Sequence, residues 1–413
     1  MSSADVNVDA HRKKKQRLSL TPMERKASIR LALLFATRMF GLFLLTPVFA
    51  VLAQSVPGGN HAVRVGVALG AYGLTQAIMQ IPLGIAADRF GRRPVVIAGL
   101  IVFVLGGIVA ALAQTIDGII VGRVLQGLGA ISAAVTAWVA DATRPEVRTR
   151  AMAMIGMSIG LSFALSLVVS PVLVGQFGLS GLFWVMSLLG FLCLWLAVWG
   201  IPECTPQGQA MGASRSAVKA VLRNRSLWHL NGGVFVLHAV LMTFFVSMPP
   251  ILARVMGATA AQLWKVYLPV MVCSFVVMFA WVFYIESRRQ HARMLHWAVG
   301  LLGGSIVAFF VAQYHFWLLA VVLWLFFSAF NTLEALQPSL VSRVASVQER
   351  GLALGVYNTA QSLGVFFGAA VGGLMIGWVG PLGGFYISVV LVGLWWLNTR
   401  RLPLQFEGQG GSR

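Results

Sequence analysis

Four ionisable side chains fall inside long apolar runs: Glu334, Arg123, Arg38 and His238. An ionised group at bilayer depth costs roughly 2.5–3.5 kcal/mol on insertion scales, so such residues are functional candidates. Glu334 is the one acid near the middle of a run. A desolvated carboxyl suits reversible protonation, which makes it the first candidate for proton coupling. Histidine titrates near neutral pH, so His238 joins it. Arg123, in the outer part of its run, is the third. Each has a plainer alternative: Glu334 as a hydrogen-bond acceptor, Arg123 as a strut on backbone carbonyls, His238 as a packing residue. Arg38, in the inner half of its run, is assigned to a substrate cavity, its alternative being to snorkel to the inner face.

Uncharged polar residues recur at helical spacing and extend that cavity. Tyr72, Gln76 and Gln80 lie four apart on one stripe. Arg123 with Gln126, Asn331 with Glu334, and Asn358 with Gln361 are pairs three apart that share a helix face. Stripes on different helices can converge on one cavity, or they can hydrogen-bond between helices at about 0.6 kcal/mol each. With 26 Phe and 13 Trp in the chain, an apolar, aromatic cavity would suit lipophilic substrates.

The elements that position these residues are membrane helices. Of 413 residues, 58% are hydrophobic and 10% charged, against about 25% charged in a soluble domain. Mean hydropathy is +0.82. The expectation is an all-α membrane protein. Twelve apolar runs are read at 30–53, 64–86, 94–113, 117–140, 150–174, 179–200, 228–252, 262–284, 292–312, 316–341, 351–376 and 379–399. Each suits a helix crossing about 30 Å of hydrocarbon. The longest internal break, Pro202 to Arg225, divides them into two sixes. The expected organisation is a basic tail 1–29, a six-helix bundle 30–200, a linker 201–227, a second bundle 228–400 and a tail 401–413.

The net charge of +19 follows from sidedness. With the N-terminus inside, 26 of 31 Lys and Arg fall on one face, including the run His11–Arg17. Cations are retained on the cytoplasmic side, so both termini are expected there and nucleic acid is not an expected partner. No apolar core follows the basic tail directly, so no cleavable signal peptide is read. Cys193, Cys204 and Cys273 form no CxxC pair, and the histidines show no HExxH spacing; no metal and no cofactor is expected. There is no GxxxxGK[ST] phosphate loop and no GxSxG elbow, so neither ATP use nor an enzyme is expected. Trp395 and Trp396 read as interfacial anchors.

Between the second and third runs lies Gly84-x-x-Ala87-Asp88-Arg89-x-Gly91-Arg92-Arg93. Its glycines allow a tight turn and close helix approach. Asp88 and Arg92, four apart, can pair if helical, and Asp141 ends the fourth run on the same face. The halves repeat weakly: Arg150 to Gly156 resembles Arg350 to Gly355, and the turn corresponds to Tyr284–Arg289, an incomplete copy.

The turn resembles the loop 2–3 signature of the major facilitator superfamily. Gly122-Arg123-Val-Leu-Gln126-Gly127-Leu-Gly129 resembles the second signature of its drug:proton antiporters. Arg38-Met-Phe-Gly-Leu-Phe-Leu-Leu-Thr-Pro47 and Phe330-Asn331-Thr-Leu-Glu334 are similar to its YajR-like members. The resemblance covers roughly residues 30–400. It implies twelve helices in two pseudo-symmetric six-helix bundles. It also implies a cytoplasmic latch of Gly84, Asp88, Arg89, Gly91, Arg92, Arg93 and Asp141 that joins the halves in the outward-facing state. Two departures stand out. The fifth run reads Ser170-Pro171-Val-Leu-Val-Gly175 where antiporters carry Gly-Pro and a glycine pair, and the soluble C-terminal domain common in YajR-like proteins is expected to be absent.

The expectation is a secondary transporter in the inner membrane, a monomer moving a small organic molecule outward against protons. A metabolite uniporter or proton symporter is the alternative, and a non-transporting receptor is further off.

Overall fold

The computed structural model describes residues 20–201, 215–288, 291–346 and 349–400. The run His11–Arg17, residues 202–214 of the linker with Cys204, Arg289 and the tail 401–413 lie outside the described residues, as do the side chains of Arg150, Glu286 and Arg288. Helix α1 spans Pro22–Leu44 and begins before residue 30, where its apolar run starts. Its start is a capping box: Glu24 N–H donates to Thr21 Oγ1 at 3.2 Å and Thr21 N–H to Glu24 Oε2 at 2.8 Å, with Pro22 in the first turn. The short α2, Phe49–Leu52, completes the crossing.

Helices α3 (Ala62–Phe90) and α4 (Arg92–Leu112) are separated by Gly91 alone, at φ 93°. The fourth run divides into α5 (Ile116–Leu128) and α6 (Ser132–Asp141), a break not foreseen from the sequence. Helix α7, Pro145–Trp195, has 51 residues. At 1.5 Å per residue it would measure about 75 Å, far beyond one hydrocarbon core. Gly178, at φ 64° and ψ −167°, breaks it into two crossings between the fifth and sixth expected runs.

The second half holds α8 (Arg215–Arg223), α9 (Arg225–Met256), α10 (Trp264–Arg288), α11 (His291–Ala312), α12 (Phe316–Val344), α13 (Arg350–Val379) and α14 (Gly383–Thr399). No strand occurs among the described residues. Among the described residues, ten helical stretches are long and apolar enough to cross a membrane. The stretch Met154–Gly200 supplies two crossings, and α14, with 17 residues, is the last.

Within the first half α1 packs on α7, and α4 on α5 and α7. Within the second, α9 packs on α13 and α14, and α12 on α10 and α11. The halves meet chiefly along α3 and α13. Small residues make this possible: a Cβ at Gly66 would run into the Ala369 carbonyl, and one at Gly373 into that of Ala62. A Cβ at Gly73 would lie 2.8 Å from the Ser362 carbonyl. Deeper in the molecule, Phe163 of α7 is ringed by Phe43 of α1 and by Phe245, Phe327 and Phe330 of the second half, with centroids 5.3–6.5 Å away. These contacts lie away from the Asp88–Arg92 turn. On the turn side, a Cβ at Gly156 or Gly160 of α7, or at Gly351 or Gly355 of α13, would meet nothing within 4 Å. The gap between the halves therefore opens on the turn side. Trp395, read as an interfacial anchor, is buried; a Cβ at Gly233 would lie 3.0 Å from its ring nitrogen.

Arg25, Lys26 and Arg30 precede the apolar part of α1, so Glu24 stands outside the membrane. It ties α1 to the start of α7: Arg144 Nε and N–H donate to its Oε1 at 2.8 and 3.0 Å, and Nη2 to Oε2 at 3.1 Å. Burial alone would raise the Glu24 pKa, but hydrogen bonds from Arg144 and Thr21 outweigh it and hold the carboxyl at about 2. A depressed folded pKa stabilises fully above the ordinary value and is lost as pH falls through the folded one. Wild type should therefore exceed Glu24→Gln in thermal midpoint near neutral pH, with the gap closing between 4.5 and about 2. Midpoints of the two purified proteins across that range check this, and a gap independent of pH would contradict it.

Candidate functional site

Arg123 faces inward from α5, buried within the first half. Its Nη1 donates to Gln126 Oε1 at 2.8 Å, one turn along, and Nη2 to the Leu69 carbonyl at 3.4 Å. Its guanidinium lies 4.3 Å from the Tyr72 ring centroid, a cation–π contact. Gly127 permits this approach, since a Cβ there would collide with Thr75 and the Tyr72 carbonyl. The sequence pairing of Arg123 with Gln126 holds in space. Arg123 does not touch Glu334, another candidate for proton coupling: its partners are Gln126, Leu69 and Tyr72.

Arg38 is also fully buried. The break between α5 and α6 leaves the Gly129 carbonyl outside the helical ladder, where it accepts from Arg38 Nη2 at 3.4 Å. The same nitrogen reaches Gln76 Oε1 at 3.4 Å, and the guanidinium lies 5.5 Å from the Phe103 centroid. Gln76 Nε2 in turn donates to Ser362 Oγ of α13 at 3.0 Å, across the two halves. Arg38 therefore does not snorkel. The stripe Tyr72–Gln76–Gln80 does not act as one surface. Tyr72 faces Arg123, Gln76 faces the interface, and Gln80 is buried.

In the second half His238 holds the centre. Its Nδ1 lies 3.1 Å from the Val234 carbonyl, its Nε2 2.7 Å from Gln361 Nε2 and 3.6 Å from Glu334 Oε2. With Nδ1–H donated to Val234, Nε2 accepts from the Gln361 amide, so a neutral imidazole is satisfied at both nitrogens. At 3.6 Å, Glu334 then makes no hydrogen bond to it, and its Oε2 has no partner. Protonation of the imidazole turns Nε2 into a donor toward Glu334. The Glu334 side chain is 27% exposed, though its Oε2 is buried. Asn331 is turned away: its Nδ2 donates to Ser274 Oγ of α10 at 2.9 Å. Asn358 is half-buried, and its carbonyl accepts from Ser362 Oγ at 3.0 Å.

Sequence reasoning missed Ser362 and Ser274, common residues without a pattern, and Gly129, whose role depends on an unforeseen break. Phe163 is one phenylalanine among 26 and carries no distinguishing spacing.

At the turn, Arg92 Nε donates to Asp141 Oδ2 at 2.9 Å and Nη1 pairs with Asp88 Oδ1. Arg93 Nε donates to the Ala197 carbonyl at 3.0 Å, and Arg89 lies over its neighbour Phe90. All these partners belong to the first half. The expected bridge between halves is not made here, because the halves stand apart on this side; the network joins α3, α4 and α6 instead. Gly84 also departs from expectation. A Cβ there would lie 3.6 Å from that of Ala133, an ordinary contact.

Two helical bundles, each with ionisable side chains buried within it, form a multi-pass membrane protein. The Major Facilitator Superfamily model matches residues 31–332, and the chain belongs to that family. It is 40% identical over 378 residues, 91% of this chain and 83% of the relative, to the inner membrane transport protein YajR of Escherichia coli K12. It is 27% identical to the multidrug resistance protein MdtL of Shigella dysenteriae, over 46% of this chain and 49% of that one. Among solved structures, a bacterial homologue of the human lysosomal transporter Spinster, inward-facing and occupied, superposes with a TM-score of 0.74 at 14% identity, covering 94% of this chain and 98% of that one.

Gly91 sits in a region of backbone space that side chains avoid, so Gly91→Ala should lower unfolding free energy by roughly 1–3 kcal/mol. Gly84→Ala should stay within about 0.5 kcal/mol of wild type. Unfolding in detergent checks both, and equal effects would contradict the assignment.

Proposed function

We propose that the chain is a proton-coupled exporter of a small organic molecule in the bacterial inner membrane, with the Asp88–Arg92 turn and both termini in the cytoplasm. The observation that carries it is the Glu334–His238 pair, at 3.6 Å, on the wall of the gap between the halves. Support for sidedness comes from the 26 cations on one face. With that orientation the structure is open to the cytoplasm and closed outward by the α3–α13 contact and the Phe163 cluster. The matched stretch of MdtL, by its name a multidrug resistance protein, supports outward transport of organic molecules.

In this reading a proton entering from outside resides on the Glu334–His238 pair and leaves to the cytoplasm, while substrate takes the opposite route. Arg123 sets the potential of the first half and holds the helices around the gap. The network of Asp88, Arg92 and Asp141, with Arg89, Arg93 and the two glycines, keeps the inner ends of α3, α4 and α6 as one body that must close against the second half when the outward state forms.

Two measurements test this in proteoliposomes, with a substrate first found by thermal stabilisation across a compound library. An imposed pH gradient should drive uptake of that compound in wild type, and Glu334→Gln should abolish the gradient dependence while still inserting. Gradient-independent flux, as a uniporter would give, sinks the coupling. Asp88→Asn should insert normally and slow transport by roughly fivefold or more, the scale of a modest coupling free energy; wild-type rates would remove the turn from the cycle.

A further inference from the structure

Two arginines are buried at membrane depth without an acid. Among the described residues no carboxylate pairs with Arg38 or Arg123. Asp88 and Asp141 are engaged by Arg92, Glu24 by Arg144 and Asp117 by Arg64. Glu334 belongs to the other half, beside His238. A guanidinium cannot shed its proton, so the first half carries two uncompensated positive charges into a medium of low dielectric. Both keep an Nε–H with no acceptor.

The two sites are not equivalent. Arg123 has a 2.8 Å hydrogen bond and a ring face. Arg38 has a more distant ring, Phe103 at 5.5 Å, and hydrogen bonds only at the long end of the range: 3.4 Å to Gln76 Oε1, 3.4 Å to the Gly129 carbonyl and 3.9 Å to Met39 Sδ. Gln76 is half-buried, and its other end holds Ser362 across the interface. A single neutral amide thus joins an under-coordinated cation to a contact between the halves.

We propose that the transported molecule carries an oxyanion, a carboxylate or phosphate, which displaces Gln76 Oε1 as the partner of Arg38. The proposal rests on the transport reading above and adds the substrate class. An anion supplies the charge-assisted hydrogen bonds that the amide cannot. Displacement also frees Gln76 from Ser362, removing one hydrogen bond that joins α3 to α13. Substrate binding therefore weakens the closed side, which gives the ligand a different affinity for the two states and a means of shifting between them. A cationic molecule would meet like charge on Arg38 and Arg123 in the same medium.

The test uses probes that share one apolar body: naphthoate, naphthyl phosphate, naphthamide and naphthylmethylamine, each titrated against thermal unfolding of the purified full chain. Naphthoate or naphthyl phosphate should raise the midpoint saturably, and the amide and amine should not. Arg38→Gln should weaken that response at least about tenfold, and Arg38→Lys should restore part of it. Gln76→Glu, nearly isosteric, places a carboxylate against Arg38. It should raise the midpoint without ligand and abolish the response, and it removes no buried cation, so it stays informative if Arg38→Gln does not fold. The proposal is overturned if neither anion stabilises wild type, if the amine binds as tightly as the acid, or if Gln76→Glu responds like wild type. Binding is read without a gradient. Anion binding without proton-driven flux would remove only the coupling reading, and proton-driven flux of a cationic compound would remove only this one.

Discussion

A guanidinium buried in a membrane helix must keep its charge and must find acceptors, because the surrounding hydrocarbon offers none. Much of the first half follows from that constraint. Arg123 is tolerated because α3 and α5 approach closely enough, over Gly127, to bring the Tyr72 ring and the Leu69 carbonyl to it. Arg38 is tolerated because the fourth crossing is broken, so that the carbonyl of Gly129 is free to turn toward it. Breaks in a membrane helix are stable only where another group satisfies the exposed backbone. Here the break supplies one long hydrogen bond to the cation and leaves its Nε–H without an acceptor.

The second half meets the same constraint differently. Its buried ionisable groups, His238 and Glu334, can both be neutral, so no fixed charge has to be held. The imidazole is satisfied by a backbone carbonyl and an amide, and the carboxyl keeps an oxygen without a partner. One half therefore holds permanent charge buried within it, and the other holds groups that can be neutral.

How much of this was legible in the sequence depends on whether the cause is local. Capping, crossing length and the turn at Gly91 are local, and the crossings came out close to their expected runs, including the Gly178 break within α7. The Thr21–Glu24 box extended α1 beyond its apolar run, because capping, not hydropathy, fixes where a helix starts. The spacing of Arg123 and Gln126 also carried over, since residues three apart on a helix must be neighbours. What was not legible is the choice of partner between helices. Asn331 shares a helix with Glu334 yet bonds Ser274, and Gln76 finds Ser362 nearly three hundred positions away. Such choices are settled by where glycines let helices touch, which helical spacing within one run does not encode.

The glycine contacts also explain why the molecule closes on one side only. Along α3 and α13 backbone meets backbone at Gly66, Gly73 and Gly373, so the two helices cannot approach further, and dispersion at close range favours holding them there. On the turn side, Gly156, Gly160, Gly351 and Gly355 are equally small but face open space. Small residues are thus placed for contact at both ends of the interface while only one end is in contact. The ion pairs of Arg92 remain whole in this open state, so closing the turn side does not require building that network. The turn ties the ends of α3, α4 and α6 into one network within the first half.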